Sequence, residues 1–127
     1  MLQSVNSQYA VYDKHTGIQI QDSKPLAFLF NTYSGVGAYA CGNASEYQTD
    51  PVVVYDQFAN RWLVSYFASA FVKKKSVSPF YICLAISQTC DATGLYHNYA
   101  FESTDSTDPS ISVVPDYPKL AVWSDAY

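Results

Sequence analysis

The residues best suited to catalysis in this sequence are two aspartates, Asp50 and Asp116. Asp50 directly precedes a proline, and Asp116 opens the triplet Asp-Tyr-Pro. Each lies just before a predicted strand. Hydrolysis of a glycosidic bond needs two carboxyl groups that face each other across the sugar, which makes this pair a candidate for glycoside hydrolysis. The alternative is a structural role, because aspartates near proline often accept hydrogen bonds from backbone amides in turns.

Three other residues are candidates for ligand binding: Arg61, Trp62 and Tyr117. The Arg61 guanidinium could bind an anion, and the neighbouring Trp62 ring could stack on a ligand. Tyr117 lies beside Asp116 in the same triplet. Arg61 also faces Asp56 across a predicted turn, which favours a structural ion pair as the alternative.

Metal and histidine chemistry have little support in the sequence. We expect no cofactor. Calcium is a lesser alternative, because several aspartates offer hard oxygen ligands, but no Asp-x-Asp-x-Asp loop organises them. These aspartates are Asp91, Asp105, Asp108 and Asp125. The three cysteines lack the Cys-x-x-Cys spacing of a zinc site, and His97 has no nucleophile motif near it.

The cysteines Cys41, Cys83 and Cys90 suggest a disulfide instead. Cys83 lies in an apolar segment, Cys41 in a glycine-rich loop and Cys90 in a predicted turn. A bridge between Cys41 and Cys83 is our first choice, while a bridge between Cys83 and Cys90, or none, remains open because spacing does not fix connectivity.

The composition excludes several classes of protein. Hydrophobic residues make up 49% of the 127 residues and charged residues only 14%, which is unlike a disordered chain. The net charge of −4 argues against a nucleic-acid partner, because phosphate binding needs clustered lysine and arginine. No apolar stretch reaches the length of a membrane helix, and no signal peptide is visible in this chain.

Short apolar runs separated by turn residues predict strands almost throughout the chain. The first predicted hairpin joins strands 9–12 and 18–21 through a turn that ends at Gly17. Four further strands follow in sequence between Val52 and Phe101, with turns at 56–60 and 88–94 and a lysine-rich loop tip at 73–75. A polar link and an apolar segment, Lys119 to Trp123, come next. We expect that segment to open another sheet.

This order of elements predicts an all-β fold of antiparallel four-stranded meanders. A meander, a long polar link and a new strand is the pattern of successive β-propeller blades. We therefore expect residues 1–127 to be a single domain, part of a longer propeller with one full blade at 52–101 and parts of two neighbours. A β-sandwich is the structural alternative.

Several motifs resemble a known group of proteins. The run Asp50-Pro51-Val52-Val53-Val54-Tyr55-Asp56, followed by Arg61-Trp62, resembles a segment of secreted bacterial proteins of uncharacterised function that are thought to be β-propellers. The same run is more weakly similar to blades of propeller glycosidases. The chain lacks the Ser-x-Asp-x-Gly-x-Thr-Trp box and the arginine cluster of sialidases. The resemblance implies a propeller shape and an extracellular or periplasmic location, and no particular reaction.

The functional hypothesis is therefore a non-catalytic binding or structural propeller module of an exported protein. Its ligand would be a carbohydrate or a protein, and uncovered blade faces could also cause self-association. The alternative is a fragment of a propeller glycoside hydrolase, with Asp50 and Asp116 as its acidic residues.

Overall fold

The computed structural model describes all 127 residues, and its strands form two antiparallel sheets. Strands hold 47% of the residues and helices 8%, which confirms the predicted all-β class. The first sheet has the order β1 (Leu2–Val5), β2 (Gln8–Tyr12) and β3 (Gln19–Pro25). The second has the order β4 (Tyr47–Asp56), β5 (Arg61–Val72), β6 (Lys75–Ser87) and β7 (Tyr96–Glu102). A 3₁₀ helix (Leu26–Phe30) and the short helix α1 (Ala38–Gly42) lie between the sheets in the sequence.

The predicted first hairpin is present as β2 and β3, and β1 extends it to a three-stranded sheet. The Asp13 carboxylate accepts hydrogen bonds from the backbone amides of His15 (2.9 Å) and Thr16 (2.8 Å), and this closes the turn between β2 and β3. Gly17 completes the turn at a φ of 72°, which glycine adopts without a steric penalty. Strand β1 was not predicted, because four residues are too few to show a clear alternation.

The second sheet is the predicted meander, in consecutive order. Its strands are longer than expected because the hairpin between β5 and β6 extends to a two-residue turn at Lys73 and Lys74. Both lysines have a positive φ, as this tight turn requires. Lys73 and Lys74 thus form a loop tip, as predicted, whereas Lys75 already begins β6. Strand β4 contains a bulge between Thr49 and Val52, at the Asp50–Pro51 step.

One hydrophobic core joins the two sheets and both helices. Val64, Tyr66 and Ala68 alternate along β5 toward it, and Phe30 packs its ring edge-to-face on Tyr66 at 5.7 Å between centroids. Cys41 in α1 and Cys83 in β6 form a disulfide with a Cα–Cα distance of 5.9 Å. This is the pairing that the sequence favoured. Two sheets sharing one core fit a sandwich and a pair of adjacent propeller blades equally well.

The C-terminal segment, residues 113–127, contains no strand. The expectation that Lys119 to Trp123 opens another sheet is therefore wrong for this chain: the segment pairs with no neighbouring strand, and a strand needs a partner for its backbone groups. Its two ends are anchored far apart. The Val113 amide donates to the carbonyl oxygen of Ser103 at 2.8 Å, and the Tyr127 hydroxyl donates to Asp56 at 2.9 Å.

These anchors lie at diagonally opposite corners of the second sheet. Ser103 follows β7, whereas Asp56 ends β4 on the other edge and at the other end of the strands. The core occupies one face of the sheet, and on the opposite face the rings of Tyr47 and Phe80 pack against Phe67. Leu63 and Phe67 point to that face, yet they are only 0% and 4% exposed. Near β7 the same face is open, since Phe101 remains 55% exposed.

Candidate functional site

The two candidate acids, Asp50 and Asp116, lie in different settings. Asp50 occupies the bulge of β4 with a φ of 55°, and its carboxylate accepts a hydrogen bond from the Thr49 hydroxyl at 3.1 Å. Asp116 is exposed in the C-terminal segment and makes no hydrogen bond through its side chain. No hydrogen bond connects the two residues, and neither lines the apolar cavity beside Trp62 that is described below. Their part in hydrolysis stays a prediction.

Arg61 begins β5, directly after the β4–β5 turn. It is the cross-strand partner of Asp56, which is almost fully buried. The Asp56 carboxylate accepts hydrogen bonds from the amides of Phe58 (2.7 Å) and Ala59 (3.0 Å). The bond from Ala59 is the main reason that the pKa of Asp56 is lowered, and the positive charge of Arg61 adds a smaller effect. Arg61 thus helps to keep Asp56 ionised in the turn.

Tyr117 lies in the C-terminal segment and is 54% exposed. The ammonium nitrogen of Lys119 lies 3.6 Å from the centre of its ring, which is a cation–π contact. Tyr117 does not line the cavity that contains Trp62. The structure therefore separates two of the residues that the sequence suggested as binding partners.

An apolar cavity opens between the two sheets, beside Trp62, and has a volume of about 460 Å³. We call it the intersheet cleft. Its walls come from three places in the chain: the first sheet with its hairpin, the β4–β5 hairpin, and the turn after β6. The lining residues are Met1, Val11, Lys14, Ile20, Tyr55, Trp62, Cys90, Asp91 and Ala92.

Trp62 and Tyr55 form one wall of the cleft as a cross-strand pair. Their ring centroids are 4.8 Å apart and their planes are tilted by 55°. The Trp62 indole N–H donates to the carbonyl oxygen of Cys90 at 3.1 Å, and the Trp62 amide donates to the Ser87 hydroxyl at 2.8 Å. The indole is therefore fixed in place before any ligand arrives, while Tyr55 remains 42% exposed.

Two charged residues of opposite sign interrupt the apolar lining of the cleft. Asp91 accepts hydrogen bonds from the amide and the hydroxyl of Thr93, both at 2.8 Å and both to the same carboxylate oxygen. The bond from the Thr93 amide is the main reason that the pKa of Asp91 is lowered. Its second oxygen is free for a ligand. Lys14 comes from the β2–β3 turn, which Asp13 stabilises.

Sequence reasoning identified Trp62 but missed Tyr55, Lys14 and Asp91 as its neighbours. One signal for Tyr55 was available, because the predicted turn at 56–60 places it opposite Trp62 in the hairpin. No local signal connects Lys14 or Asp91 with Trp62, since the packing of the two sheets brings them together. The sequence predicts Asp91 as a turn residue, which the bond from the Thr93 amide confirms, and as a lesser alternative a calcium ligand.

No metal site is evident, because no three His, Cys, Asp or Glu side chains lie close enough together to hold an ion. None of the helices has the length and apolar character needed to cross a membrane. Comparison of the chain with protein-family models, with curated proteins and with solved structures finds no match. The interpretation of the cleft therefore depends on its own geometry.

Proposed function

We propose that this chain is a non-catalytic binding module of an exported protein, and that it binds carbohydrate in the intersheet cleft. The observation that carries the proposal is the packed pair of aromatic rings, Trp62 and Tyr55, on the wall of an apolar cavity with charged groups at its sides. The cavity of about 460 Å³ falls within the roughly 300–1,000 Å³ that is common for ligand sites.

The chemistry of a sugar ring matches this lining. One face of the ring is covered by C–H groups that pack on an aromatic face, while the hydroxyl groups around its edge need hydrogen-bond partners. Trp62 and Tyr55 supply the aromatic surface. The free oxygen of Asp91 can accept from hydroxyl groups, and the Lys14 ammonium can donate to them.

Export is supported by the disulfide between Cys41 and Cys83, since such bonds persist in oxidising compartments. The propeller interpretation is part of the same proposal. The consecutive order of β4 to β7 is the order of strands in a propeller blade, and the first sheet would belong to a neighbouring blade.

No specific observation favours the alternative of a glycoside hydrolase. Asp91 is the single carboxylate that lines the cleft, and hydrolysis by the usual mechanisms needs two. Asp50 and Asp116 lie outside it. The binding module is thus the function that the geometry supports best.

The proposal is tested by screening the chain on a glycan array and measuring the bound glycans by calorimetry. Tyr55→Ala should weaken binding about tenfold, because it removes half of the aromatic surface. Phe58→Ala is the matched control, since Phe58 is an exposed aromatic residue of the adjacent turn that does not line the cleft. Its affinity should match that of the wild type.

Two results would contradict the proposal. One is an array on which no glycan is retained, and the other is glycan binding that Tyr55→Ala leaves unchanged. Turnover of chromogenic glycosides that is lost in Asp50→Asn would instead support the hydrolase.

A further inference from the structure

Strand β7 presents an open edge of the second sheet. Its pairing with β6 is unbroken over seven residue pairs, from Tyr81 with Glu102 to Ser87 with Tyr96. The Ser103 amide donates toward β6, to Phe80, and the Leu95 carbonyl oxygen accepts from Gln88 on the same side. Because backbone groups alternate in direction along an antiparallel strand, the even-numbered residues of β7 point their N–H and C=O groups away from the sheet.

These outward backbone groups have no partner in the chain. They belong to Tyr96, Asn98, Ala100 and Glu102, and no hydrogen bond of the molecule reaches them. Asn98 does bond to Leu29, but through its side chain. A regular edge of this kind is a template for another strand.

The other three edges carry features that discourage pairing. Strand β4 is interrupted by its bulge at Asp50 and Pro51, and β3 carries Asp22, Lys24 and a terminal proline with irregular register. Strand β1 has only four residues. By contrast β7 has no proline, glycine, lysine or bulge, and its single charge, Glu102, lies at its end. Exposed edge strands usually carry such protective features. Their absence from β7 indicates that this edge can pair with another strand.

We propose that β7 pairs with β7 of a second copy of this chain, antiparallel and centred on Tyr99, so that two four-stranded sheets become one eight-stranded sheet. The two copies are related by a twofold axis, and each uses the same surface. In this register Asn98 lies opposite Ala100 of the other copy, and Tyr96 lies opposite Glu102. All of the outward backbone groups of both strands then form hydrogen bonds.

The side chains of β7 are complementary to themselves in this register. His97, Tyr99 and Phe101 share the face opposite the core, where Tyr99 is 46% and Phe101 is 55% exposed. Tyr99 would lie opposite its own counterpart, and His97 opposite Phe101 of the other copy. These are non-hydrogen-bonded pairs, in which side chains approach most closely. No two like charges face each other, since Glu102 meets Tyr96.

The proposal is tested first by sedimentation and light scattering of the full chain over a range of concentrations. The expected mass is twice 14.1 kDa, with reversible dissociation on dilution. Tyr99→Lys places two positive charges opposite each other and should raise the dissociation constant of the dimer at least about tenfold. Val72→Lys is the matched control, because Val72 is an exposed residue of the same sheet that lies away from β7.

A cross-linking experiment tests the register directly. In a Cys90→Ser background, which removes the one free thiol, dissolved oxygen with a copper catalyst should oxidise the Tyr99→Cys thiols of two copies to a disulfide, because position 99 faces itself. His97→Cys should not, since it would face position 101. Circular dichroism verifies that each variant folds. If Tyr99→Lys does not fold, the cross-link alone tests the dimer.

Three outcomes would overturn the dimer: a mass of 14.1 kDa at every concentration, a dimer that Tyr99→Lys leaves intact, or equal cross-linking at positions 97 and 99. A dimer that disappears on reduction or in Cys90→Ser would be a disulfide dimer through Cys90 and would also overturn it. None of these results bears on glycan binding in the cleft, which lies at Tyr55 and Trp62.

Discussion

At the scale of single residues, Gln48 contributes most to the internal hydrogen bonding of the fold. Its side chain is 6% exposed and its carbonyl oxygen accepts from the Ala27 amide at 3.1 Å. Its amide nitrogen donates to three backbone carbonyls, of Ala40 (2.9 Å), Cys41 (3.2 Å) and Asn43 (3.0 Å). One side chain of β4 thus satisfies the backbone at the start of the 3₁₀ helix and at the end of α1.

We expect Gln48→Ala to lower the free energy of unfolding by about 3 kcal/mol, because buried backbone groups lose their partners. Urea denaturation followed by circular dichroism measures this. Gln3→Ala is the control, since Gln3 is exposed, and it should change stability by less than about 0.5 kcal/mol. A loss below about 1 kcal/mol in Gln48→Ala would show that water replaces the lost bonds.

At the scale of elements, aspartates organise the turns. Five of them accept hydrogen bonds from backbone amides or hydroxyls two or three residues further along the chain, and these bonds lower the pKa of each carboxyl group. They are Asp13, Asp56, Asp91, Asp105 and Asp108. For Asp13 the bond from the Thr16 amide is the largest contribution. Ionised carboxylates therefore stabilise three turns within the two sheets and the loop that follows β7.

This predicts that the protein loses stability in acid. Each folded pKa lies below the unfolded value of about 3.9, so the unfolded chain binds protons first. The contribution of these carboxylates is complete above about pH 5 and is lost as the pH falls through their folded pKa values. The midpoint of thermal unfolding, measured between pH 2 and 7, should be constant near neutrality and should fall in acid.

Asp13→Asn should make that decline shallower, because asparagine keeps the turn geometry but does not titrate. Asp125→Asn is the control, since the Asp125 side chain makes no hydrogen bond, and its acid profile should follow the wild type. Equal profiles for all three proteins would contradict the role of the Asp13 carboxylate.

At the scale of the whole molecule, the disulfide fixes the helix α1 to the second sheet. Cys41 lies in α1 and Cys83 in the centre of β6, 42 residues apart, and both are fully buried. The Tyr66 hydroxyl adds a second connection by donating to the Cys41 carbonyl oxygen at 2.8 Å. The helices that cover the second sheet are thus tied to it by a covalent bond and by a buried hydrogen bond.

Replacing both bonded cysteines, in Cys41→Ala with Cys83→Ala, should lower the free energy of unfolding by about 4 kcal/mol, as expected for a closed loop of this length. Guanidinium denaturation under non-reducing conditions measures it. Cys90→Ser should have little effect, because Cys90 is exposed and unpaired. Equal stability of the double variant and the wild type would mean that core packing alone holds α1 on the sheet.

The sequence by itself determined the strands and the turns. Alternation in Arg61 to Ala68 and the turn residues at 56–60 and 88–94 are local signals, and each was sufficient for its hairpin. It also limited the possible disulfide pairings to those among three cysteines. It did not identify β1, which is too short to show a period, or the unpaired state of Lys119 to Trp123, which depends on whether a partner strand is present.

Only the tertiary structure decided the site. The cleft exists because the packing of two sheets brings Lys14, Tyr55 and Asp91 together around Trp62, although these residues belong to separate turns and strands. Asp50 and Asp116 looked alike in the sequence, yet one lies in a bulge and the other in an extended segment outside the cleft. Local periodicity fixes how a segment folds, whereas the distance between segments depends on how their buried faces fit one another.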